Sequence, residues 1–123
     1  MAEPVIVPFE PQTSFADALI AQVARLIADR GGTVREQRVM VVGPQGRIIL
    51  PIVYEDGAGE AVAYIYEGHW DPVALEDLQI WLEVLAVSEH RGLRVDLWTA
   101  HPPPPQVVEL LERRGRQGGG QAG

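Results

Sequence analysis

Two pairs of side chains in this chain could do chemistry. Glu67 and His69 share parity at the end of a strand, so an extended backbone through Gly68 puts a carboxylate and an imidazole on one face. Glu55 and Asp56 sit beside Gly57 and Gly59, a setting that equally suits an exposed hairpin turn. If Glu55 or Asp56 converged with Glu67, the carboxylates could hold magnesium or manganese, neutralise a phosphate and generate hydroxide. His69 would orient or deprotonate the water, although at neutral pH it is no dependable cation. The bland reading of both pairs is a strand end followed by a polar turn.

Other chemistry is thinner. The chain has no cysteine, which removes disulfides, thiolate catalysis and zinc knuckles. His69, His90 and His101 lack metal-ligand spacing, and neither Ser14 nor Ser88 sits in a nucleophile elbow. Gly43-Pro44-Gln45-Gly46 joins two strands with no lysine after it, so it is no phosphate loop.

The elements that must position these residues are marked by periodicity and punctuation. Residues 1–12, with Pro4, Pro8 and Pro11, read as an extended arm, residues 13–114 as one globular domain, and the glycine-rich end, 115–123, as a disordered tail. Thr13 or Ser14 can cap a first helix whose stripe is Phe15, Leu19, Val23, Leu26 and Ile27, ended by Gly31-Gly32. Strands follow over 33–42, 47–54 and 61–67, the second apolar on both faces. Asp71 caps a second helix with Pro72 at its first position, running until Gly92 stops it. A fourth strand alternates Leu93, Val95, Leu97 and Thr99 with a more polar face of Arg94, Asp96 and Trp98. A short helix over about 106–114 closes the domain. Short turns make the first three strands an antiparallel meander, and the helical crossover makes strands three and four parallel. The expected fold class is α+β, in the order αβββαβα, with a mixed four-stranded sheet and helices on both faces.

All ten basic residues are arginine, and the absence of lysine and asparagine fits the codon bias of a GC-rich genome. The net charge of −7 is uneven: residues 25–49 carry +3, residues 50–112 carry −10. A duplex-gripping protein normally presents a positive face. Only Arg30, Arg35, Arg38 and Arg47 could assemble one here, so nucleic acid is disfavoured as a partner. No apolar run approaches the roughly 20 residues of a membrane span, and the start lacks the pattern of a secretory signal. No membrane association and a cytoplasmic location are the expectations.

The order of elements resembles the restriction-endonuclease-like fold, the PD-(D/E)XK nuclease superfamily, over about residues 14–112. In active members of that superfamily an aspartate, commonly after proline, lies in the second strand, and an acid-x-lysine motif in the third. The carboxylates hold a divalent metal and the lysine assists the attacking water. This chain has Pro51-Ile52 where proline-aspartate is expected, and Ala61 to His69 where the third-strand motif would lie, with no lysine at all. The resemblance therefore implies a degenerate member. Gln79 followed by Trp81 only loosely matches a helix motif that some members carry.

Two functions are compatible with this sequence. One is a catalytically silent accessory or protein-interaction module with no cofactor, its contact surface drawn from Tyr64, Tyr66, Trp70 and Trp98. The alternative is a magnesium- or manganese-dependent nuclease with a rearranged site of Glu55 or Asp56, Glu67 and His69. A protein partner, or a homodimer through the edge strand over 33–42, fits the first and is compatible with the second.

Overall fold

A computed structural model describes residues 4–8 and 16–122 of the chain. The order is β1 (Val5–Ile6), α1 (Ala16–Asp29), β2 (Thr33–Gly43), β3 (Gly46–Asp56), β4 (Gly59–Tyr66), α2 (Pro72–Ala86), β5 (Arg94–Thr99) and α3 (Pro105–Ala122). This is a mixed α+β fold with three helices and one mixed sheet, ordered β1-β5-β4-β3-β2. β2, β3 and β4 form the expected antiparallel meander, and α2 carries the chain across to β5, which lies parallel to β4.

The sheet has five strands, not four, because the arm supplies one. Val5 pairs with Trp98 and Ile6 with Thr99 in parallel. The Val7 amide donates to the Thr99 carbonyl oxygen at 2.8 Å, and its side chain is 1% exposed. Alternation over so short a run gives no usable strand signal, so only the neighbouring β5 defines β1. The proposed helix cap at Thr13 or Ser14, and Phe15, lie outside the described residues.

Each face of the sheet has its own core. α1 contributes Ile20, Val23 and Ile27 to a cluster with Val7, Ile52, Tyr54, Ala61, Ala63 and Trp98. On the other face α2 and α3 bring Leu78, Trp81, Leu82, Val84, Leu85, Val107 and Leu111 against Leu50, Val62, Val95 and Leu97. The predicted start of α2 holds: the Asp71 carboxylate accepts from the Ala74 amide at 2.8 Å, with Pro72 opening the helix. Its end comes earlier than Gly92. After Ala86 the Ser88 hydroxyl donates to the Leu85 carbonyl oxygen at 2.8 Å, a local bond that competes with continued helix. α3 runs past the expected end near 114, through the segment read as a disordered tail. Its glycines each cost about 1 kcal/mol relative to alanine but do not remove a backbone donor, and no proline interrupts it.

The β2–β3 hairpin changes direction midway. Its register slips between Val34 and Glu36, a bulge, and Arg38 adopts φ 57°. Arg38 lies across from Pro51, which has no amide to donate. Before this point Ile52 and Tyr54 face α1; beyond it Leu50, Ile48 and Val41 join the α2 core. β4 pairs with β3 only up to Ile52–Ala63, so the distal hairpin leaves the sheet and folds over α2. The Trp81 indole nitrogen holds it there, donating to the Ile49 carbonyl oxygen at 3.0 Å.

Candidate functional site

The densest polar arrangement lies under the C-terminal end of α1. A cavity of about 440 Å³ is lined by Val5, Ile27, Arg30, Tyr54, Asp56, Asp96 and neighbouring residues. The β5 face expected to be polar supplies Arg94, Asp96 and Trp98, yet Asp96 is only 6% exposed and Trp98 3%. That face is buried because β1 and α1 cover it, and a buried carboxylate must then be paired.

Arg94 does the pairing. Its Nε donates to Asp96 Oδ1 at 2.9 Å, and its Nη2 lies 2.8 Å from both Asp96 Oδ2 and Asp56 Oδ2. The Tyr54 hydroxyl donates to Asp96 Oδ2 from across the sheet. Hydrogen bonds to Asp96 hold the Arg94 proton more tightly than usual, against the cost of burial. Arg94 in turn holds the Asp56 carboxyl below the ordinary range, helped by the Ala58 amide. Burial, then the Asp96 carboxylate, pushes the Tyr54 hydroxyl well above an ordinary phenol. A guanidinium thus bridges two carboxylates as a divalent cation would, which leaves neither acid free as a general base.

The acids read as metal ligands do not converge. Asp56 pairs with Gly59 at the start of β4, whereas Glu67 follows the far end of that strand, roughly 25 Å away at about 3.3 Å per residue. Glu55 is ion-paired with Arg35 at 2.5 Å, and Glu67 is exposed. Among the described residues no group of three or more histidine, cysteine, aspartate or glutamate side chains could hold a metal ion. Parity correctly aligns residues within a strand but says nothing about which strand end a hairpin partner reaches. His69 instead stacks on His101, ring centroids 4.0 Å apart.

The aromatic set is also divided. Trp98 is core rather than contact surface, with the Arg30 guanidinium 5.3 Å from its ring centroid. Tyr64 packs against the α2 core, edge-on to Trp81 at 4.9 Å. Tyr66 and Trp70 are half-buried and brace the loop after β4: their rings lie 4.6 Å apart, the Tyr66 hydroxyl donates to the His69 carbonyl oxygen, and the Trp70 indole reaches Thr99 and His101. The four arginines form no common patch. Arg30 lies over Trp98 and Arg35 on Glu55, while Arg38 and Arg47 belong to the hairpin.

Three exposed large apolar side chains share one face of the distal hairpin, while others (Ile6, Val73, Ile80 and Val87) lie on β1, on α2 and just after α2. Met40 is 59% exposed, Val42 70% and Ile49 49%, with Met40 directly across from Ile49 and Val42 across from Arg47. The sequence signal for it is the uncharged run Val39-Met40-Val41-Val42, which parity alone cannot divide into buried and exposed. Comparison with protein-family models, curated proteins and solved structures finds no match. No described helix is long and apolar enough to cross a membrane.

Proposed function

We propose that this chain is a catalytically silent accessory or protein-interaction domain on a restriction-endonuclease-like scaffold. Support for the scaffold is the order α1, a β2–β3–β4 meander, crossover α2 and a parallel β5. The observation that carries the silent reading is the pair Ile52–Ala63. Ile52 stands where the resemblance puts the first aspartate, and it is fully buried opposite Ala63, which lies within the stretch where the third-strand motif would fall. Aliphatic side chains there hold α1 against the sheet and offer nothing to a metal or a water. The rearranged nuclease site has no comparable support, since its acids lie at opposite ends of β4. The interaction surface in this reading is the distal hairpin, through Met40, Val42 and Ile49. The test is incubation of the folded chain with linear, supercoiled and single-stranded DNA and with RNA, in magnesium or manganese. No cutting is expected; cleavage that chelation abolishes would sink the reading.

A further inference from the structure

We propose that β2 accepts an added strand: an extended, acidic and apolar segment of a partner protein pairs with its free edge over residues 39–43. The inference rests on the interaction reading above and names the partner's chemistry. β2 ends the sheet, so among the described residues no strand lies beside its outer edge. Natural edges are usually protected by charge, bulges or irregular backbone. The first half of β2 has all three, with the bulge between Val34 and Glu36, the charges of Arg35, Glu36 and Arg38, and the positive φ of Arg38. The second half has none. From Val39–Leu50 to Gly43–Gly46 the register is regular, and the side chains of residues 39–43 are uncharged.

This stretch also carries a ledge for a neighbour's side chains. Met40, Val42 and Ile49 lie on one face, and Arg47, opposite Val42, stands at the rim with no ion pair among the described residues. Strand addition uses main-chain bonds for affinity and such pockets and ledges for choice of partner. Charge selects among occupants. Arg35 is already paired with Glu55, so the charge beside the ledge is that of Arg47, the single ionisable side chain of residues 39–50, within a chain of net −7. An acidic segment meets that guanidinium at the rim. A second copy does not fit as well. Antiparallel pairing of two β2 strands centred between Met40 and Val41 puts Arg38 of each copy about 10 Å from Arg47 of the other, and joins two chains of −7. Nucleic acid would leave the apolar ledge uncovered.

The experiment titrates the isotopically labelled full chain with a short peptide of alternating valine and glutamate, and with its lysine counterpart, following backbone amides by NMR. The glutamate peptide should shift and protect the amides of 39–43, binding at least about tenfold tighter than the lysine peptide, a difference of about 1.4 kcal/mol. Met40→Thr with Val42→Thr keeps strand-forming side chains and should remove binding, while Arg47→Glu should reverse the preference between peptides. Equal binding of the two peptides, shifts centred elsewhere, or no binding to the folded chain would overturn the inference. Shifts at 39–43 that follow the chain's own concentration would assign the edge to a second copy, overturning this inference while leaving the interaction reading intact. Metal-dependent cleavage would instead remove that reading itself.

Discussion

The Arg94 Nη2 atom lies 2.8 Å from Asp56 Oδ2 and 2.8 Å from Asp96 Oδ2, so one guanidinium joins the end of β3 to the start of β5. Arg94→Met should therefore be among the most costly single changes, since it leaves the buried Asp96 without its cation. A loss of about 3–5 kcal/mol is expected, read by urea denaturation. Arg94→Met combined with Asp96→Asn should recover part of it, because the stranded charge is gone.

Trp81 anchors the distal hairpin through its bond to Ile49. Trp81→Phe keeps an aromatic ring but loses the donor, at a cost of about 1 kcal/mol. Amide exchange should quicken over 39–43 and 46–50 before the rest of the sheet responds. Uniform acceleration across all strands would show that the hairpin is not separately held.

The tyrosines make stability fall in alkali. Burial, with help from Asp77 and Tyr66, pushes Tyr64 up to about 12, and Tyr54 is raised further in the same direction. Both are favoured in the neutral form when folded, so their contribution is complete below the unfolded value of about 10. It is lost as pH rises from there through the folded values. Urea midpoints should drop as pH rises from about 10 toward about 12, and Tyr64→Phe or Tyr54→Phe should flatten that slope.

Arg38 occupies the left-handed region, where a side chain costs about 1–2 kcal/mol. Arg38→Gly should be more stable than Arg38→Ala by about 1 kcal/mol, and Arg38→Val less stable than either. An inverted order in chemical denaturation would mean that the backbone at this position is extended.

Val7 tests whether the arm belongs to the fold. Buried beside β5 and bonded to Thr99 through its amide, it should cost about 2 kcal/mol on conversion to alanine. An unchanged urea midpoint would detach β1 from the cooperative unit.

The sequence by itself determined those elements whose signals are local. Asp71-Pro72 announced α2, because a cap and a missing amide act within one turn. The apolar run from Ile48 to Val53 announced a strand, buried on both faces at Ile52 and Val53 but left open at Ile49, and turn residues announced the meander. It also placed Arg94, Asp96 and Trp98 together on one face of β5, by period-two alternation. Tertiary structure decided whether that face was wet or dry. Trp98 passes from candidate surface to core only because Val5 and α1 cover it, a contact between segments more than half the chain apart. Asp96 is tolerable inside only because Tyr54 and Arg94 meet there, one of them from a different strand. The separation of Asp56 from Glu67 likewise follows from hairpin direction, which parity does not encode. The uncovered state of Met40 and Val42 is also tertiary: the distal hairpin leaves the sheet and turns Val41 and Ile48 toward the α2 core, which puts Met40, Val42 and Ile49 on the opposite, exposed side.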